Sequence, residues 1–309
     1  MNQRHKARAV LVAALVWGTG GLCLAQVPQG IFTDVRNTGF GNGINTPFVE
    51  YETAVSPDGK ELYFATYGNV DPARVPSWQG DADTWVATRK SLSEPFGDVK
   101  NLQDLASGIV LNSSAAESPG AISYDLRDLY FTPHRFGTWD AEISVGRRAG
   151  PGALFASVVK LGPKVNAPDM NSACAAITSD GLTLFYHRNV SNPSPGVLLS
   201  QSDIWIASRE STDDLFGDEN GPDPRPLEVN SPIYDEFRPS ISADGKFLFF
   251  SDWLWTTPRP GGFGQGDIWV ATRSTVEDRF GEPVNFNVLW PGSDVNSTFL
   301  DGMPFISAD

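Results

Sequence analysis

Carboxylates at one repeated position are the residues with the clearest capacity for chemistry. Each comes eight residues before a recurring aspartate, and Ser172 takes this place once. Around a narrow channel such oxygens could bind Ca²⁺, or two could serve a glycosidase as acid and base. Copies of one residue favour a structural role instead, in which each accepts hydrogen bonds from its own turn, because catalysis needs carboxylates that differ. The four are Glu50, Glu117, Glu236 and Asp301.

A second set of candidates lies in segments that differ from one repeat to the next. Tryptophans near arginines and histidines suit stacking on a sugar ring or gripping a peptide. The alternative is that these tryptophans pack over the edges of the strands. Either histidine could act as a general base, but so few histidines argue against a histidine-rich metal site. The candidates are Trp78, Trp139, Trp253, Trp255, His134, Arg135, His187 and Arg188.

The sequence contains internal repeats, and their strands and turns must position these candidate residues. The marker Ser/Thr-x-Asp recurs five times, and an Asp-Ile-Trp-Val-Ala-Thr-Arg pattern follows it four times. An asparagine precedes each marker by 13 or 14 residues. Both the asparagine and the marker aspartate are expected to bond their own turns. The aspartates are Asp58, Asp125, Asp180, Asp244 and Asp309, and the asparagines are Asn45, Asn112, Asn166, Asn230 and Asn296.

The residue pattern within each repeat predicts four short strands. An Asp-Gly turn joins the first two, an aromatic strand such as Glu-Leu-Tyr-Phe-Ala-Thr comes second, and a Phe-Gly segment opens the outermost one. Repeated four-stranded units predict an all-β chain, a β-propeller with four complete blades and an incomplete fifth. The second-to-third and fourth-to-first connections then emerge on one side, here called the variable-loop face. The units are 45–111, 112–165, 166–229, 230–295 and, in part, 296–309.

These repeats resemble the WD-repeat-like propellers of the TolB type. That family carries a similar Pro-Ser-Ile-Ser-x-Asp-Gly strand pair followed by Asp-Ile-Trp, and the best match is 238–250 with 267–273. The resemblance implies an exported interaction platform, although a shared fold does not fix a function.

The two ends of the chain carry their own predictions. Residues 1–25 resemble an export signal, with a basic start, an apolar run and a cleavage site after Ala25. A periplasmic or secreted protein with no membrane span after cleavage is therefore expected, and an uncleaved anchor is the alternative. Residues 26–309 form the propeller, in which 30–44 supply the outer strand of the closing blade. Because only one inner strand follows residue 295, the chain is expected to be a C-terminally truncated form.

Composition narrows the possible partners. The formal net charge is −14, which argues against a nucleic-acid partner, because Lys and Arg supply most phosphate affinity. Nucleotide-binding loops and serine-hydrolase elbows are missing from the sequence. The leading hypothesis is an exported non-catalytic propeller that binds a protein, peptide or glycan. The rival is an exported carbohydrate-active hydrolase or lyase. No cofactor is expected, with Ca²⁺ as the exception left open.

Overall fold

Antiparallel four-stranded groups make up the fold. The computed structural model describes residues 44–45, 50–67, 82–134, 141–190, 202–252 and 259–308. Strands pair in chain order within each group, and one parallel residue pair joins the first group to the second. The groups are β1 (Glu50–Val55), β2 (Glu61–Tyr67), β3 (Ala82–Thr88) and β4 (Gly97–Asn101); β5 (Ala116–Ile122), β6 (Asp128–His134), β7 (Ser144–Arg148) and β8 (Phe155–Lys160); β9 (Met170–Ile177), β10 (Thr183–Val190), β11 (Asp203–Ser208) and β12 (Arg225–Pro226); and β13 (Phe237–Ile241), β14 (Phe247–Ser251), β15 (Ile268–Thr272) and β16 (Val284–Asn285).

The second strand of each group supplies the core between groups. Successive side chains of a strand point to opposite faces, so neighbouring aromatics enter different clusters. Tyr130 packs with Tyr186 and Phe216 on one side, while Phe131 packs with Tyr63 on the other. The described helices are a short 3-10 turn at Leu102–Leu105 and α1 at Phe286–Leu289. Every second strand is therefore buried on both faces, as the aromatic pattern predicts.

The turn between the first two strands is held by its own aspartate. Asp58 Oδ1 accepts hydrogen bonds from Ser56 Oγ at 2.6 Å and from Lys60 N at 3.1 Å. Gly59 follows with φ of +68°, which glycine adopts without steric cost. In the second group Leu126 takes this place with φ of +63°. The serine or threonine to aspartate bond is present in all four described turns, as predicted.

Arginines at the end of the third strand join the inner turn to the outermost strand. Arg209 Nε donates to the Gly181 carbonyl at 2.8 Å, and its guanidinium lies 4.4 Å from the centre of the Phe216 ring. Arg148 has an additional bidentate pair with Glu61 of the first group, at 2.9 and 2.6 Å. In each group one arginine therefore connects the inner turn to the outermost strand. The same contacts are made by Arg89, Arg148 and Arg273.

The prediction that the repeat-opening asparagines bond their own turns is wrong for the main bonds of Asn112, Asn166, Asn230 and Asn296, although Asn166 also donates to the nearby Leu161 carbonyl at 3.1 Å. Asn166 donates to the Ile143 carbonyl at 2.9 Å and accepts from the Ile143 amide at 2.8 Å. Ile143 directly precedes β7, in the preceding group. A side-chain amide matches a backbone peptide in both donor and acceptor, so it caps the neighbouring strand where the chain returns inward. Asn112, Asn230 and Asn296 do the same.

Five innermost segments surround a central channel. β1 packs beside β5, β5 beside β9 and β9 beside β13. Residues 303–306 lie next to both ends of this series: Ile306 N donates to Ser240 Oγ at 3.0 Å, and Phe305 packs in the cluster of Val55. The predicted all-β propeller is confirmed, whereas the number of blades in the complete ring stays a prediction. The predicted signal segment and the outer strand within 30–44 lie outside the described residues, Ile44 excepted.

No helix in the described ranges is both long and apolar enough to cross a membrane.

Candidate functional site

The repeated carboxylates are bound to their own turns at three of the four positions. Glu117 accepts from the Ser113 amide at 2.9 Å and also from the Ser113 hydroxyl. Ser172, which replaces the acid once, donates instead to the Val165 carbonyl at 2.7 Å. For these three acids the bonds match the interpretation in which each carboxylate holds its own turn. The corresponding serine amides donate to Glu236 from Ser231 at 3.0 Å and to Asp301 from Ser297 at 2.5 Å.

Two of these acids have strongly shifted pKa values. Burial raises the pKa of Glu117 to about 7, although the bonds from Ser113 oppose the shift. Burial also raises the pKa of Glu236 to about 8, against the opposing charge of Arg259, with which it forms an ion pair. Groups that titrate near neutrality are available as proton donors. The two side chains therefore differ in surroundings although they share a repeat position.

The described residues include no group of three or more His, Cys, Asp and Glu side chains arranged for a metal ion. Glu50 begins β1 opposite Thr66 of β2. Calcium binding at Glu50, Glu117, Glu236 and Asp301 stays a prediction.

The two predicted histidines lie on neighbouring second strands. His134 ends β6 and is half-buried, whereas His187 in β10 is 5% exposed and stacks on Phe237, with ring centres 4.3 Å apart. Burial lowers the pKa of both imidazoles, most strongly for His187, and the Arg238 charge lowers both further. Glu52 opposes the shift at His134. Both histidines are therefore neutral at neutral pH.

Arg188 is buried and bonded within the protein. Its Nη2 donates to the carbonyls of Lys164 and Val165, both at 2.6 Å. Its guanidinium also lies 4.4 Å from the centre of the Trp205 ring. These contacts tie the second group to the third. A ligand-binding role for Arg188 stays a prediction, and it would require these bonds to be shared.

Exposed apolar residues occupy the described part of the variable-loop face. The loop before β15 and the segment after residue 295 run side by side: Gln265 N donates to the Phe299 carbonyl at 3.1 Å, and Asp301 N donates to the Gly266 carbonyl at 2.8 Å. Phe299 is 75% exposed and Phe263 is 50% exposed. Five further candidates lie outside the described residues, namely Trp78, Arg135, Trp139, Trp253 and Trp255.

Sequence reasoning missed a second position at the channel. We call it the channel position, six residues before the recurring aspartate. Four of its five members have a left-handed backbone, with φ between +45° and +61°, which is unusual for residues other than glycine. Proline, which cannot adopt positive φ, is the exception. The members are Glu52, Pro119, Cys174, Arg238 and Met303.

Three channel-position side chains form one buried polar cluster. Arg238 Nη2 pairs with Glu52 Oε1, and Cys174 Sγ donates to the same oxygen at 3.4 Å. Burial raises the pKa of the Cys174 thiol well above its usual range, and the Glu52 charge adds to this effect. The thiol is therefore neutral and a poor nucleophile. The signal that could have revealed the cluster is divergence, because this position changes chemical type in every repeat.

The comparisons with known proteins identify no family. No protein-family model matches the sequence, and no curated protein is significantly similar to it. Among solved structures, TolB from Acinetobacter baumannii is 18% identical over 84% of this chain and 46% of its own, with a TM-score of 0.46. The chain thus spans less than half the length of that TolB.

Two other solved structures are carbohydrate-active enzymes. A thermostable family-43 glycoside hydrolase is 13% identical over 83% of this chain and 76% of its own, with a TM-score of 0.47. An arabinanase from Bacillus subtilis is 12% identical over 66% of this chain and 68% of its own, with a TM-score of 0.42. At this distance the similarities assign no activity to this chain.

Proposed function

We propose that the protein is an exported, non-catalytic β-propeller that binds a protein, peptide or glycan through its variable-loop face. The observation that carries the proposal is the exposure of Phe263 and Phe299 on two adjoining loops of that face. Single exposed apolar side chains are common on protein surfaces, whereas adjoining ones mark interaction sites. The same face is predicted to carry four tryptophans, a residue type enriched where proteins bind ligands. The proposed location is the periplasm or the exterior of the cell.

The bonding of the titratable groups supports binding rather than catalysis. Glu117, Glu236 and Asp301 are engaged by amides of their own turns. The thiol of Cys174 is neutral, and His187 is buried against Phe237. A nucleophile needs an adjacent base that activates it, but the carboxylate beside the Cys174 thiol is already paired with Arg238, and burial keeps the thiol protonated.

A retention experiment tests the proposal. The full chain is immobilised and exposed to a displayed peptide library, a detergent-free extract of envelope proteins and a panel of bacterial polysaccharides. Replacing Trp253 and Trp255 together by Ala, or Phe299 by Ser, should weaken retention about tenfold or more at an unchanged melting temperature. Leu154→Ser is the matched control, because this 49% exposed residue lies between β7 and β8, on the opposite face. Equal loss in the control, or no retained partner, would refute the proposal.

The rival function is an exported carbohydrate-active hydrolase or lyase. One observation favours it: the pKa of Glu117 is about 7 and that of Glu236 about 8, and a general acid must be protonated near neutral pH. Release of reducing ends from the same polysaccharide panel tests this activity. Activity that disappears in Glu117→Gln or Glu236→Gln would establish the rival and overturn the non-catalytic proposal.

A further inference from the structure

One cavity in the central channel is lined by residues from all five innermost segments. Its volume is about 30 Å³, room for about two hydroxyl-sized groups, and it opens to solvent. The channel position lies near the middle of β5 and β9 and closer to the start of β1 and β13, so the cavity lies within the channel, away from the aspartate turns. Residues that line it include Glu52, Pro119, Cys174, Arg238 and Met303.

Buried polar atoms at this cavity have bonding capacity to spare. The Glu52 side chain is 6% exposed and that of Arg238 is 13% exposed. Glu52 Oε2 and Arg238 Nε and Nη1 are buried without a hydrogen-bond partner among the described residues. Buried polar groups in folded proteins are nearly always bonded. Three such atoms on two residues that line the cavity indicate a place where an entering molecule completes the bonds.

The charges around the cavity cancel. The Glu52 carboxylate and the Arg238 guanidinium neutralise each other. Burial keeps the Cys174 thiol and both histidines uncharged. The described side chains that face the pair therefore provide no counter-ion for a further charge. Burying an uncompensated charge is strongly unfavourable, so the ligand group that enters should be neutral.

The unbonded atoms require a group that donates and accepts at once. Glu52 Oε2 only accepts, and Arg238 Nε and Nη1 only donate. A hydroxyl group does both, and two adjacent hydroxyls of a sugar ring can bridge a carboxylate and a guanidinium. A peptide backbone amide also does both, but the chain continues on both sides of it, whereas a sugar ring presents its hydroxyls at one end. We infer that the channel position binds the neutral hydroxyl groups of a saccharide end. This inference rests on the proposed binding function and names its ligand class.

Matched sugars test the inference. Binding of galactose, glucose, arabinose and xylose to the full chain is measured by titration calorimetry and by ligand-observed NMR. Galacturonic and glucuronic acid are the charged counterparts, and acetylated asparagine amide is the amide probe. At least one neutral sugar should bind at least tenfold more tightly than its uronic acid and than the amide. Absence of neutral-sugar binding, or preference for the acid or the amide, would overturn the inference.

Variants then locate the site. Glu52→Gln with Arg238→Met removes the pair without stranding a charge, and methionine already occupies the equivalent place at Met303. The double variant should lose at least tenfold in sugar affinity, and Arg238→Lys, which keeps the charge and therefore the fold, should also lose affinity. Met303→Leu is the control, because it changes a lining residue without polar atoms and should stay within about twofold. Unchanged affinity in Arg238→Lys and in the double variant would contradict the assignment.

Failure of the inference and failure of the proposed function give different results. Replacing Trp253 and Trp255 by Ala should weaken retention of a whole partner while leaving binding of the small sugar at the channel intact. If the small sugars fail to bind but retention depends on the tryptophans, the channel inference falls and the proposed function stands. If small sugars bind but no partner is retained, the loop-face proposal falls instead.

Discussion

The channel position lies within the innermost strands and the aspartate turns directly follow them, yet the side chains at the two places behave differently. At each turn the aspartate bonds to the hydroxyl and amide of its own turn, as Asp244 does with Ser242 at 2.6 Å and Lys246 at 3.1 Å. At the channel position, Glu52 and Arg238 find each other across the ring and still leave polar atoms unbonded. The aspartates that recur in the turns therefore stabilise their own turns. The side chains that differ from repeat to repeat at the channel position keep atoms free to bind a ligand.

The largest expected effect comes from breaking the channel pair. Arg238→Met leaves the buried Glu52 carboxylate alone, and should lower the free energy of unfolding by about 3–5 kcal/mol. Adding Glu52→Gln should recover most of this loss, because no uncompensated charge remains. Urea denaturation measures both variants. Equal losses of stability in the single and double variants would show that Glu52 and Arg238 are not coupled. The contrast between the channel position and the turns would then fail.

A repeated residue should have a smaller and purely local effect. Asn166→Ala leaves the amide and carbonyl of Ile143 without a side-chain partner, and should cost about 2 kcal/mol of stability. Asn220, an exposed residue bonded only to nearby Asp218, is the control, and Asn220→Ala should be nearly neutral. Thermal and urea unfolding provide the test. The prediction is wrong if sugar affinity also falls in Asn166→Ala, since this would connect the scaffold to the channel.

Stability should fall as the pH rises through the pKa values of the buried acids. Because the pKa of Glu117 is raised from 4.5 to about 7, the folded state holds its proton where the unfolded state has lost it. The free energy of unfolding should therefore decrease by on the order of 2 kcal/mol between pH 4.5 and 7, and level off above it. In Glu117→Gln the free energy of unfolding should depend less on pH between 4.5 and 7. The dependence due to Glu236, which extends to about pH 8, should remain. A stability that rises across this window would contradict the assigned burial.

The smallest expected effect is that of chelation. Since Glu117, Glu236 and Asp301 are bonded to their own turns, we expect EDTA to shift the melting temperature by less than about 1 °C. A ligand that binds only the folded state would stabilise it by mass action. A clear fall in the melting temperature on chelation, reversed by added Ca²⁺, would therefore establish the calcium site. The repeated acids would then bind a ligand as well as stabilise their turns.

Much of the architecture could be predicted from the sequence because its causes are local. An Asp-Gly turn needs one side chain and a left-handed residue within four positions, as at Asp58 and Gly59. Alternation along an aromatic strand, as at Tyr130 and Phe131, already places one ring in each neighbouring interface. Asn166 shows where prediction from sequence ends. An asparagine is expected to bond to the backbone, but the sequence does not reveal that its main partner, Ile143, lies in the preceding group.

The candidate channel site could not be predicted, because its bonds join residues far apart in the chain. Glu52, Cys174 and Arg238 belong to three different repeats and meet only when the innermost strands form a ring. Their left-handed backbone, which is costly for such residues, is set by irregular pairing of those strands with their neighbours. The sequence by itself determined the strands, the turns and the faces of the blades, since these depend on residues a few positions apart. Only the tertiary structure decided which side chains share the channel and which of their atoms are left unbonded.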